Sequence, residues 1–355
     1  MKISSIEIEK VNLGTNRPYS IAYKTVDKVE NVILKLVLEN GIVGYGAANP
    51  SKMVVGEDVD DCYNNLKAKA EESLLGKDIR RFESLLKELE RSFAHIPGSR
   101  AALDIAVHDA FAKYLEVPLV KFFGQEKDSM PTSITIGIKS VEETLADAEE
   151  FFGMGFRYLK IKLGQNVEED IEKLMKLEER FEDQIQIRVD ANQGYSDAEL
   201  YRFFQATRSL SLELIEQPLQ AKDIDGMRRL QPGLRGMIAA DESLITPTDA
   251  LNLIEKNACG IFNIKLMKSG GIDAAREIAT IAQWYDVPLM WGCNDESIIS
   301  IAAALHTAFS FKNTQYLDLD GSLDLARDVV KGGFTIQNGE MRVAYGYGLG
   351  IEKAD

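Results

Sequence analysis

The chain is 355 residues long, 45% hydrophobic and 27% charged, with a formal net charge of −15 and a pI of about 4.9. That length allows one large domain or two ordinary ones, and the composition is that of a globular protein. A polyanion with no offsetting basic patch argues against nucleic-acid binding, and no apolar run approaches the ~20 residues that span a bilayer.

The first residues, Met1-Lys-Ile-Ser-Ser-Ile-Glu7, alternate like a strand and lack the apolar core of a signal peptide, so a cytoplasmic location is expected. Strands are expected around Ile3, Ile6 and Ile8, over 32–38 and over 42–46, the last two joined by the turn Glu39-Asn40-Gly41. Two loops interrupt this region, at about 14–26 and 49–56. Helical periodicity then runs from Val59 to about Phe123 and includes 99–113, and Val117-Pro118 ends that helix. Strands followed by helices predict an α+β unit.

From about Met130 the pattern becomes strand, helix, strand, helix. The apolar runs predict eight strands, at 132–137, 158–164, 185–190, 212–216, 237–241, 261–265, 288–292 and 315–320. Amphipathic stretches such as 141–152 and 272–284 fill most gaps. This alternation predicts a parallel α/β barrel. The tail from Gly332 reads as short strands with glycine turns that return to the first unit.

The strands end in ionisable residues. Lys160 and Lys162 sit two apart on the second, so a strand points both to one face, where Lys160 is expected to help keep Lys162 partly neutral and free it as a base. Asp190 ends the third strand, Glu216 the fourth, Asp241 the fifth and Lys265 the sixth. Their spacings are 26, 25 and 24 residues, close to the ~30 of one barrel repeat, which places them at one height on the C-terminal rim where barrel enzymes work. Three converging carboxylates need a counter-charge, and a hard divalent cation, Mg²⁺, is the natural one. Lys162 and Lys265 then face each other across the barrel. Cys62, Cys259 and Cys293 are far apart and fit a reducing compartment, while His95, His108 and His306 read as structural or surface residues.

The motifs Lys160-Ile-Lys162, Asp190-Ala-Asn192, Glu216-Gln-Pro218, Asp241-Glu-Ser243 and Asn263-Ile-Lys265-Leu-Met-Lys-Ser-Gly-Gly271 together resemble the enolase superfamily, in its muconate-lactonizing-enzyme subgroup. The resemblance spans nearly the whole chain. It implies a modified (β/α)7β TIM-like barrel over residues 126–325, an N-terminal α+β capping domain over 1–125 and a C-terminal segment, 326–355, that completes the cap. It also implies a lysine base working with Mg²⁺, as in that superfamily generally. Asp190, Glu216 and Asp241 are its expected metal ligands. Lys162 and Lys265 are its expected bases, serving the R- and S-configured centres respectively.

On the eighth strand, Tyr316-Leu-Asp318-Leu-Asp320 puts two aspartates on one face and resembles the Asp-x-Asp motif of dipeptide epimerases. The expected substrate is a dipeptide, its ammonium on Asp318 and Asp320, with Lys160 and Thr135 also contacting it. N-acylamino acid racemisation, o-succinylbenzoate synthesis and a catalytically silent metal-binding scaffold are the rival readings. Assembly as a homo-oligomer, with no nucleic acid and no membrane, completes the expected partners. Related sequences carry apolar residues where Asn294 and Asp295 stand, and often glycine at Ser300, so the pocket is reshaped here. Relatives that epimerise alanyl-glutamate resemble the stretch 17–26 but carry arginine where Lys24 stands. Lys24 could favour an acidic side chain; Asp295 could pair with it or attract a basic one. The expectation is a moderately broad enzyme that accepts Ala-Glu-like dipeptides among others.

Overall fold

The computed structural model describes residues 1–16, 19–21, 24–26 and 28–354; of the side chains of 17–27 nothing is described. The N-terminal unit is a three-stranded antiparallel sheet, Ile3–Asn12 beside Glu30–Leu38 beside Val43–Ala48. The helices Val59–Leu74, Phe82–Ser92, Pro97–Tyr114 and Leu119–Phe123 pack with it. The third of these is alanine-rich and buried on nearly every side. It lies directly on the sheet because the third strand offers Gly44 and Gly46 to it. A Cβ at Gly46 would come within 1.8 Å of the Ala102 carbonyl oxygen, and one at Gly44 within 2.3 Å of that of Ala106.

Eight parallel strands then form a nearly closed barrel in chain order: Ile134–Ile136, Tyr158–Lys162, Gln186–Asp190, Leu212–Glu216, Ile238–Ala240, Ile261–Ile264, Leu289–Gly292 and Thr314–Asp318. A bridge from Thr132 to Leu317 brings the two ends of the sheet together. The first seven strands lie within their expected ranges, and the eighth starts one residue earlier, at Thr314. The intervening helices start where sequence chemistry permits. Ser140 with Glu143, Ser196 with Glu199 and Thr246 with Asp249 form reciprocal caps, each satisfying two otherwise orphaned N–H groups. The gap between the fourth and fifth strands holds two short helices, Ile224–Arg229 and Pro232–Met237.

Below the rim, Arg188 plugs the barrel. It is buried, donates to the Leu317 carbonyl at 2.5 Å and to Glu213 at 2.7 Å, and lies over the rings of Tyr158 and Tyr316. The tail hairpin Phe334–Gln337/Glu340–Val343 pairs with Met130–Pro131 at the barrel entry. Further on the tail reaches the N-terminal unit: the Leu119 N–H donates to the Gly348 carbonyl at 2.7 Å, and the Leu349 N–H to Asp109 at 2.9 Å. Asp104 ties the units again by accepting the Ile272 N–H at 2.5 Å, which caps the barrel helix Ile272–Trp284. Among the described residues, no helix is long and apolar enough to cross a membrane.

Candidate active site

Strand register builds the site. Lys162 pairs in register with Asp190, and Asp190 with Glu216, so three neighbouring strands end at one level. Asp241 and Lys265 each follow directly on the strands Ile238–Ala240 and Ile261–Ile264. Asn192, Gln193 and Gln217 take left-handed backbone conformations just past the strand ends, with φ of 43°, 67° and 33°. These turns fold the chain back on itself: the Asn192 N–H donates to Asp190 at 2.9 Å, and the Gln217 side chain accepts the N–H groups of Asp241 and Ser243.

The floor is a largely buried network of charges. The Lys160 ammonium lies 2.7 Å from Glu216, 2.7 Å from Asp318 and 3.3 Å from Asp190. Lys162 contacts Asp190 at 2.6 Å and Asn192 at 3.1 Å. Lys265 lies 2.9 Å from Asp241 and 3.7 Å from Glu216. Lys268 donates to the carboxylate of Asp241, and to its carbonyl at 2.6 Å. Burial pushes Asp190 up, but the Lys162 and Lys160 ammonium groups outweigh it and hold the carboxyl at about 2. Asp241 is likewise buried, yet Lys265 and Lys268 hold it well below the usual carboxylate range. Glu216 goes the other way: burial and the Asp190 charge raise it to about 8. Burial opposes the charge on Lys160 and Lys265, but the surrounding carboxylates prevail and favour the ammonium form of both.

Above this floor opens a cavity of about 550 Å³, within the usual range for small-molecule sites. Lys162 and Lys265 line it from opposite walls, four strands apart in the eight-stranded ring. Thr135, Asp241, Asn294, Asp295, Asp318 and Asp320 line it as well. Asp318 is held by Ser133 at 2.7 Å and by Lys160, while Asp320 accepts the Thr135 N–H at 2.6 Å. Burial, with Asp318 and Asp324 nearby, pushes Asp320 up to about 7. The Asn294 amide donates to the Asn49 carbonyl at 2.8 Å. The side chain of Lys24 lies outside the described residues.

Among the described residues, no three His, Cys, Asp or Glu side chains are gathered as a preformed metal cluster; lysine ammonium groups contact the carboxylates instead. The donor set nonetheless fits a hard cation. Asp190 and Glu216 share contact with one ammonium, Glu216 and Asp241 with another, and all are carboxylate oxygens. Beside them, Glu242 Oε2 is buried with no hydrogen-bond partner among the described residues.

Four members of the network lie beyond the residues the sequence singled out. Asn263 donates to Glu216 at 2.8 Å, and it sits two residues before Lys265 on the same strand face. Lys268 stands one helical turn after Lys265, on the short helix Leu266–Ser269. Both fall within the quoted motif, so strand and helix periodicity would have found them. Glu242 likewise falls within a quoted motif, Asp241-Glu-Ser243, whereas Ser133 carried no such signal.

Two family models match the chain. One is described as the mandelate racemase/muconate lactonizing enzyme N-terminal domain and covers residues 5–124. The other, enolase C-terminal domain-like, covers residues 143–355. The L-Lys-D/L-Arg epimerase of Desulforapulum autotrophicum is 52% identical over 354 residues, which is 99% of this chain and 100% of that one. The L-Ala-D/L-Glu epimerase of Clostridium acetobutylicum is 32% identical, with 99% of each chain covered. Among solved structures, the dipeptide epimerase from Methylococcus capsulatus, complexed with Mg and the dipeptide L-Arg-D-Lys, aligns with a TM-score of 0.97 at 47% identity and covers 99% of both chains.

Proposed function

The chain belongs to the enolase superfamily, in its mandelate racemase/muconate lactonizing branch, and on that premise we propose that it epimerises dipeptides with cationic side chains. The inverted centre is the α-carbon of the C-terminal residue. The observation that carries the reading is a pair of lysines, Lys162 and Lys265, on opposite walls of one cavity with carboxylates on the floor between them. Epimerase relatives along the full length of the chain support the isomerase class.

Asp190, Glu216 and Asp241 are the residues that would hold Mg²⁺, which supplies positive charge to the substrate carboxylate as the α-proton leaves. Inversion needs one group to take that proton and another to return one to the opposite face. Lys162 and Lys265 fill these roles in either direction, Lys162 at the R-configured centre and Lys265 at the S-configured one. The ion-paired setting of Lys265 favours its ammonium form, the form that donates. Lys160, locked among three carboxylates, balances their charge. Asp318 and Asp320 receive the N-terminal ammonium. With Asp318 already paired to Lys160, Asp320 is the carboxylate that a new cation would relieve.

Charge favours a cationic substrate. Nine Asp and Glu residues line the cavity against four lysines. Two of those lysines, Lys52 and Lys139, are paired with Asp58 and Asp147, which leaves seven acidic residues against Lys162 and Lys265. The names of the more similar relatives point the same way, and they shift the expectation from Ala-Glu-like dipeptides to Lys- and Arg-containing ones. A reducing cytoplasmic setting agrees with three unpaired cysteines, and a homo-oligomer is part of the reading.

The test is a dipeptide library in D₂O with Mg²⁺, read by mass spectrometry for a gain of one dalton. Lys-Arg and Arg-Lys should exchange fastest. Exchange into N-acylamino acids but not dipeptides would favour the racemase reading, and exchange into neither would sink both.

A further inference from the structure

The turn after the seventh barrel strand, leading into the helix Ile298–Ala308, is held from outside the barrel. Asn31, fully buried on the capping strand Glu30–Leu38, donates Nδ2 to the Asp295 carbonyl at 3.2 Å and accepts the Ser297 N–H at 3.0 Å. Asn49, just past the strand Val43–Ala48, donates Nδ2 to the same carbonyl at 2.6 Å, and its own carbonyl takes the Asn294 amide. Ser300 adds a bond to the Ala47 carbonyl at 3.2 Å. From the barrel side, the Asn294 N–H donates to Glu296 at 2.8 Å. The Asn294 carbonyl rests against Gly321, where a Cβ would come within 2.0 Å of it.

A carbonyl oxygen has two lone pairs, and here both point to capping-domain amides. Fixing that peptide fixes the direction in which the Asp295 Cα–Cβ bond leaves the backbone, and Asp295 lines the cavity. The turn begins at Gly292, where a Cβ would lie 2.9 Å from the Lys265 Cε, so it stands beside the proposed centre of inversion. We propose that Asn31 and Asn49 are positioning residues for selectivity, a clasp through which the capping domain aims Asp295 at the cationic side chain of the substrate's C-terminal residue. An asparagine suits this task because one amide can both donate and accept, as Asn31 does. The inference rests on the cationic-dipeptide reading and adds to it the origin of the preference.

The test compares kcat/KM for Ala-Arg and Ala-Leu in the wild type, Asn49→Ala, Asn31→Ala, Asp295→Asn and the double variant Asn49→Ala/Asp295→Asn. Each asparagine variant should lower the Ala-Arg to Ala-Leu ratio by about tenfold. The change should come mainly through KM for Ala-Arg, with kcat for Ala-Leu held within about threefold. The double variant should lose no more than Asp295→Asn alone, as expected when residues act through one another. Asn49 is only partly buried, so its variant carries the test if Asn31→Ala unfolds, and the unfolding midpoint checks both. An unchanged ratio in Asn49→Ala, with Asp295→Asn lowering it, overturns the clasp alone. A wild type inactive on both dipeptides would overturn the functional reading and the clasp with it.

Discussion

The floor of the cavity and the wall facing the capping domain are built by different rules. On the floor, Lys160, Asp190, Glu216 and Asp241 are almost wholly buried, and each touches a partner on another strand. On the wall, Asp58, Asp295 and Asp324 are partly buried and Asp60 is exposed, all on turns and helix starts. Removing one partner from a buried pair leaves an uncompensated charge and costs about 3–5 kcal/mol, whereas an exposed pair contributes roughly 0–1 kcal/mol. The floor therefore tolerates little change and suits chemistry. The wall, whose carboxylates are less buried, tolerates more change and suits discrimination among substrates.

Breaking the floor should produce the largest effects. Lys162→Ala and Lys265→Ala should each lower epimerisation by about 10³-fold, within the range of a positioned acid–base group. Each variant should still exchange the α-proton of one substrate epimer in D₂O, because the remaining lysine faces it. Full epimerase activity in either would remove the two-base mechanism. Next come the carboxylates: Asp190→Asn, Glu216→Gln and Asp241→Asn should weaken Mg²⁺ binding in calorimetry and lower turnover by at least about a hundredfold, the most that losing a partner of a metal ligand usually costs. EDTA should silence the wild type and added Mg²⁺ restore it. Undiminished turnover after thorough metal removal contradicts the assignment.

The ammonium pocket lies between the two regimes. Asp318→Asn and Asp320→Asn should each raise KM for dipeptides more than about tenfold, or 1.4 kcal/mol. Burial and the neighbouring Asp318 and Asp324 push the Asp320 carboxyl up to about 7. It is anionic above that pH and takes a proton below it, so KM should rise as pH falls through about 7. A flat KM between pH 6 and pH 8 (about one unit either side of that value) would exclude Asp320 as the ammonium partner. N-acetylation of the dipeptide should make it a poor substrate, and improved turnover would place the enzyme with the acylamino acid racemases.

The same contrast decides what the sequence could reveal. Lys162, Asp190, Glu216, Asp241 and Lys265 were legible because short apolar runs end in ionisable residues at one repeat length, and a parallel barrel turns equal spacing into equal height. The Mg²⁺ assignment followed from their charge. In the gap after Glu216 the helices Ile224–Arg229 and Pro232–Met237 are too short to show a period. Ser133 was missed because it reaches Asp318 across the closure of the barrel, 185 residues away in the chain. Asn31 and Asn49 were missed for the same reason: their partners lie 264 and 246 residues downstream, and no local pattern links them.

The smallest expected effect concerns Lys24, and it sharpens the contrast from the wall's side. Arginine at this position would fork onto the side-chain carboxylate of an Ala-Glu substrate, whereas lysine offers one point charge on a flexible stem. Lysine thus keeps the sign of that interaction and loses its geometry. In a cavity whose lining carries nine acidic residues against four lysines, one further cation cannot make the site select for glutamate. A solvent-accessible ion pair contributes roughly 0.2–1 kcal/mol. Lys24→Ala, assayed against Ala-Glu, Ala-Leu and Ala-Lys, should therefore lower kcat/KM for Ala-Glu by at most about fivefold, leave Ala-Leu unchanged and hold or slightly raise Ala-Lys, which loses a repulsive neighbour. Equal effects on all three substrates would remove Lys24 from the pocket. A loss of Ala-Glu turnover beyond a hundredfold would mean that the wall, like the floor, contains a buried pair on which the site depends.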